Sequence, residues 1–188
     1  MKIILAKTKI LTPAVCLAIL LISASCKKTK TEPTEIEKLP PITQTGAKTF
    51  GCLVNGKAWI PEGYESPTPN YRVEVDPTFN DGVFGISCYK IFSWNPYKRE
   101  DITFGSDSIK STGLFTVTRI GIDRLRAHFG GGGCGFNPTD PGVYVNGFLK
   151  LTRYDLGAGI FSGEFEFTLK PVNCDTIKIT NGRFDYKF

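Results

Sequence analysis

One histidine, His128, occurs in 188 residues, and that scarcity excludes most histidine-based catalysis. A lone imidazole would have to fill every acid, base and ligand role. No G-x-S-x-G elbow, H-E-x-x-H pair or C-x-x-C pair is present, so the motif-borne serine hydrolases, zinc peptidases and thioredoxin-like or zinc centres drop out. Acidic residues are plentiful, yet none sits in a recognisable paired-carboxylate motif for glycoside hydrolysis. Beyond Cys26 no stretch sustains a 3.6-residue apolar period with capping signals, so little helix is expected. Intrinsic disorder is excluded by what is abundant: fourteen Phe, seven Tyr and two Trp.

Acidic residues are also missing before Glu32, and the first 25 residues carry an export pattern. Lys2, Lys7 and Lys9 precede an apolar run from Ile10 to Ile22, too short for a comfortable membrane span. The run ends in Ser23-Ala24-Ser25-Cys26, which resembles a bacterial lipobox with Cys26 as the lipidated residue. Ser23 stands where such motifs usually carry an aliphatic residue. Ser23 and Ser25 also suit ordinary signal peptidase, so secretion without lipid is the second reading. Residues 1–25 are therefore read as a lipoprotein signal, 26–44 as a flexible polar tether and 45–188 as one β-rich domain. Removing the three leader lysines leaves 20 basic against 18 acidic residues, and that near balance argues against a nucleic-acid partner.

Setting aside Cys16 and Cys26, four cysteines remain: Cys52, Cys88, Cys134 and Cys174. An even count in an exported chain suggests two disulfides, with three pairings open. No metal site and no cofactor are expected.

The apolar period after residue 45 is two. Asn55-Gly56 between Phe50–Val54 and Lys57–Ile60 marks a hairpin, because both turn residues tolerate positive φ. Tyr71, Val73 and Val75 alternate with charged residues and would pair with Val83–Phe92 across a turn-rich segment. Ile102 and Phe104 begin a strand expected to pair with Leu114–Thr118, and Leu125, Ala127 and Phe129 form another. Near the carboxy terminus Phe161, Phe165, Phe167 and Leu169 share one parity. Ile177 and Ile179 are odd, whereas Phe184, Tyr186 and Phe188 are even, so one residue must be absorbed in a bulge at Asn181-Gly182. The expected fold is all-β, an antiparallel β-sandwich or a partly closed barrel of about eight to ten strands.

Thr45–Ile60 reads TGAKTFGCLVNGKAWI, and the last 28 residues carry SGEFEFTL and CDTIKITNGRFDYKF. These resemble the two ends of a family of lipoproteins of unknown function from Bacteroidota, in which TGxxTFGCxVNGxxW opens the domain and SGxFxF with ITxGRFD closes it. The resemblance implies a cell-envelope lipoprotein with one compact β-rich domain. It implies turn and bulge roles for Gly56 and Gly182, and core roles for Phe165, Phe167 and Phe184.

Two groups are candidates for binding. Trp94 and Tyr97, beside Lys98 and Arg99, form an aromatic and basic loop able to stack on a sugar ring. Arg124, Arg126 and His128 would project from one strand face toward an anionic ligand. The Gly130–Gly135 run lacks the Lys-Ser/Thr of a phosphate loop and reads as a flexible turn. The expected protein is a non-enzymatic binding or structural module, lipid-anchored through Cys26 in the cell envelope with the outer membrane as its site. A glycan or an envelope protein is its expected partner, and a carbohydrate-binding accessory protein is the second reading.

Overall fold

The structure, a computed structural model, describes residues 32–79, 81–117, 125–131, 133–136 and 142–188. The signal segment, Cys26 and Arg124 lie outside them. Pro33–Phe188 forms one compact unit. Among the described residues there are eleven strands and no helix: β1 (Thr49–Val54), β2 (Lys57–Trp59), β3 (Tyr71–Asp76), β4 (Val83–Trp94), β5 (Tyr97–Ser106), β6 (Gly113–Thr116), β7 (Arg126–Gly131), β8 (Cys134–Phe136), β9 (Tyr144–Asp155), β10 (Ile160–Lys170) and β11 (Ile177–Lys187).

They form a six-stranded sheet in the order β2-β1-β11-β10-β9-β6 and a five-stranded sheet in the order β3-β4-β5-β7-β8. The two sheets stack as a sandwich, and the barrel alternative falls away. Among the described residues, an isolated bridge from Val117 to Leu125 joins backbone of the two sheets at one margin.

Local turn chemistry explains much of this. Asn55 and Gly56 both take positive φ, 48° and 80°, and close β1 onto β2. The bulge falls where the parity requires it. Phe165 pairs with Gly182 but Phe167 with Ile179, so β11 absorbs one extra residue and keeps Ile177, Ile179 and Phe184 all inward. A Cβ on Gly182 would lie 2.5 Å from the Phe165 ring, which leaves glycine as the residue that fits.

The core is aromatic. Phe104 of the five-stranded sheet packs 4.6 Å from Phe165 and 5.1 Å from Phe167 of the other sheet, ring centre to ring centre. Phe50 lies 5.2 Å from Phe165. Each fully buried ring of this kind contributes about 2–3 kcal/mol of hydrophobic stabilisation.

Three expectations are corrected. The strand containing Ile102 and Phe104 does not pair with Leu114–Thr118: β5 lies between β4 and β7, while β6 joins the other sheet beside β9. The chain crosses between sheets there, a long-range choice that alternation alone does not encode. Second, Cys52 and Cys88 are free thiols, not disulfide partners. They sit in the core on strands of opposite sheets, where a thiol packs as a small apolar group, and burial pushes both thiols well above their ordinary pKa. Third, the distal part of the stretch read as a tether is folded onto the domain from Pro33 onward. Thr34 and Glu37 cap one turn reciprocally, Leu39 is buried, and Arg153 Nη1 donates to the Gln44 carbonyl at 2.6 Å.

Asp185 fastens the rest of that segment. Its buried carboxylate accepts hydrogen bonds from Thr43 Oγ1 (2.7 Å), the backbone N–H groups of Thr45 (2.9 Å), Gly46 (2.8 Å) and Ala47 (3.1 Å), and Ser162 Oγ (2.7 Å). Burial alone would raise its pKa, but these donors outweigh burial and hold the carboxyl far below the usual carboxylate range.

Candidate functional site

The outward residues of the five-stranded sheet fall into two rows set by strand register. One row reads Glu74, Gly85, Gly105, Arg126 across β3, β4, β5 and β7. The next reads Arg72, Ser87, Thr103, His128 across the same strands. Charged side chains stand on the outer strands, while glycine, serine and threonine occupy the central pair. Ordinary sheet faces fill such central positions with side chains. Here the omission opens a trough of about 340 Å³.

Its walls are held by ion pairs. Arg72 Nη2 meets Glu74 Oε1 at 2.6 Å on one side, and Arg126 Nη2 meets Asp107 Oδ2 at 2.8 Å on the other. Ser87 and Thr103 share a hydroxyl hydrogen bond of 3.4 Å on the floor. At the far end, the segment between Glu62 and Asn70 folds over Tyr89. The Tyr89 hydroxyl accepts from Glu65 N (2.8 Å) and donates to Thr68 O (2.7 Å).

His128 is fixed from both sides. Nε2 lies 3.3 Å from Asp101 Oδ2, and Nδ1 bonds the Phe136 carbonyl. The hydrogen bond to Asp101, and then that to the Phe136 carbonyl, raise the imidazole pKa against an opposing effect of burial. Asp101 is lowered by the same bond to His128 and by nearby Arg99. Both ring nitrogens face acceptors, an arrangement that favours the protonated imidazole and engages both of its N–H groups. Among the described residues, no group of three or more His, Cys, Asp or Glu side chains is placed to hold a metal ion.

Trp94 and Tyr97 pair across the Asn95-Pro96 turn with their rings 5.7 Å apart, and both are exposed. They do not share one contact set with Arg126 and His128. His128 pairs with Thr103, six residues along β5 from Tyr97, roughly 20 Å at strand rise. A polar chain spans the interval. The Tyr97 hydroxyl donates to Glu65 (3.3 Å), Glu65 pairs with Arg99 (2.6 Å), Arg99 approaches Asp101 (4.0 Å), and Asp101 holds His128. Arg99 also stacks over the Tyr89 ring at 4.3 Å.

The two candidate groups are thus separate places: a trough walled by Arg126 and His128, and an aromatic hairpin end. Arg124 lies outside the described residues. Sequence reading missed Gly85, Gly105, Arg72, Glu74, Asp101 and Asp107. Their only signal is two glycines at outward positions of otherwise well-formed strands. Gly130 and Gly131, in the run read as a flexible turn, lie in β7 paired with β8, and a Cβ on Gly130 would press within 3.0 Å of the Asp101 carboxylate, which itself holds His128.

A wider hollow of about 590 Å³ lies on the outer face of the six-stranded sheet beside Leu114, Gly147 and Phe148. Lys150 and Glu166 also line it, without the two rows of charged residues flanking a glycine and hydroxyl stripe that mark the trough. No family model matches the chain, and no curated protein or solved structure matches it.

Proposed function

We propose that this chain is a non-enzymatic binding module, exported and lipid-anchored in the cell envelope through Cys26, whose ligand lies in the trough of the five-stranded sheet. One observation carries the reading: charged residues flank a central stripe of glycine and small hydroxyl residues in two successive rows. The trough offers guanidinium donors, carboxylate acceptors and hydroxyls, with charge neutralised pairwise. That chemistry suits a hydroxyl-rich ligand, so a glycan is the class we favour over a protein partner. The leader and its closing Ser-Ala-Ser-Cys support the envelope address.

In the same reading Cys134 and Cys174 make the domain's disulfide, the pairing left once Cys52 and Cys88 are free. Binding of the mature protein to a glycan array, compared with a variant whose trough is filled at Gly85, tests the ligand class. Loss of membrane partition on Cys26→Ser tests the anchor.

A further inference from the structure

The end of the β4–β5 hairpin is built differently from the rest of its sheet. β3 pairs with β4 only from Val83 to Cys88, and β7 pairs with β5 only from Asp101 to Gly105. Beyond those points the two strands continue to Trp94 and Tyr97 as a two-stranded finger, braced at its base by Glu62 beside Ile91 and by Glu65 on Arg99. Such a ribbon is marginal alone and gains nothing for the core by presenting large rings to water. Yet Phe92, Trp94 (60% exposed) and Tyr97 (50% exposed) all do so, with exposed Tyr64 on the adjoining loop. Lys90 Nζ lies 5.1 Å over the Phe92 ring, and Lys98 is exposed beside them. The neighbouring carboxylates are neutralised: Glu62 by Lys90 at 3.3 Å and Glu65 by Arg99 at 2.6 Å.

The folding of Pro33–Gln44 onto the domain sets where the chain enters. Glu35 Oε2 accepts from Ala58 N at 2.7 Å, and the next residue of β2, Trp59, donates through Nε1 to Glu100 Oε2 at 2.9 Å. Glu100 pairs with Lys90 at the base of the finger, so chain entry and finger base are neighbours. Between Cys26 and Pro33 lie only six residues, and that length extends to about 25 Å at most. A lipid on Cys26 therefore holds the bilayer surface close to the finger. Tryptophan and tyrosine, with apolar bodies and polar tips, concentrate in the headgroup layer, and lysine stems reach outward to phosphate.

We propose that the β4–β5 finger seats Phe92, Trp94 and Tyr97 in the headgroup layer of the bilayer that holds Cys26. This rests on the lipid-anchor reading. It leaves the trough, at the other end of β4 and β5, open to a ligand.

The chain contains two tryptophans, and Trp59 is buried, so the emission lost on Trp94→Phe belongs to the finger. The full lipidated chain is reconstituted into phosphatidylethanolamine and phosphatidylglycerol vesicles, with and without bromine on the upper acyl carbons. Brominated lipid should cut the Trp94 emission roughly twofold or more and shield it from aqueous iodide. Flotation of the same vesicles reads the anchor separately through Cys26→Ser. Protein that floats while Trp94 stays open to iodide and blind to bromine overturns the finger's role and leaves the anchor standing. Lipidated chain that does not float overturns both.

Discussion

Gly85 and Gly105 face each other directly across β4 and β5, and they tolerate a side chain very differently. A Cβ on Gly105 would lie 2.6 Å from the Phe84 carbonyl oxygen, whereas a Cβ on Gly85 would meet nothing nearer than Glu74 at 3.9 Å. Gly105 is thus required by backbone packing, and Gly85 is spared for the trough. Gly105→Ala should destabilise the domain by about 1–3 kcal/mol in urea unfolding, while Gly85→Ala should be neutral or slightly stabilising. Equal losses at both positions would contradict this division.

Asp185 predicts the fate of the amino-terminal segment. Asp185→Asn replaces an acceptor carboxylate with an amide that faces several donors, and about 2–4 kcal/mol of stability should be lost. Limited proteolysis should then cut before Thr49, a site protected in the parent. The pH dependence follows from the depressed pKa. The contribution is full above about pH 4 and disappears as pH falls through the lowered folded value. The Asn variant should therefore lose that part of the acid sensitivity.

His128 is the chain's single histidine, so its ring resonance can be followed through a titration without assignment. Held by Asp101 and the Phe136 carbonyl, it should titrate above the ordinary value near 6.5. Its stabilising contribution is complete below about pH 6.5 and is lost as pH rises through the raised value. A midpoint below 6.5 would show that the Asp101 contact is absent in solution.

Cysteine chemistry separates core from brace. In the native protein Cys52 and Cys88 should be inert to a thiol reagent, because both are buried with raised pKa values. With Cys26 lipidated and Cys134 bonded to Cys174 as proposed, denaturation should expose two thiols, and reduction should bring the count to four. Fewer than two before reduction would mean that Cys52 and Cys88 are oxidised after all.

What was legible in the sequence was local. Asn55-Gly56 and the parity break at Asn181-Gly182 each declare their geometry within a few residues, and both hold in the structure. The assignment of β6 to the far sheet was not legible, since Leu114 alternates equally well beside either neighbour. Nor was the docking of Pro33–Gln44, whose polar composition reads as linker. Its partners, Arg153 and Asp185, lie more than a hundred residues away. The trough is likewise a product of register. Glu74 and Arg126 become the two ends of one row only after four strands align. The finger was visible as residues, Trp94 and Tyr97, but its separation from His128 was not.

The most direct test compares the mature protein and its Gly85→Val variant on one glycan array, with thermal unfolding in parallel. Valine suits a strand and enters open space, so Tm should hold within a few degrees, about 1 kcal/mol or less. The parent should bind a defined glycan, and the filled trough should abolish that binding. A parent that binds no glycan, or a folded Gly85→Val variant that binds as well as the parent, would contradict the trough as the ligand site.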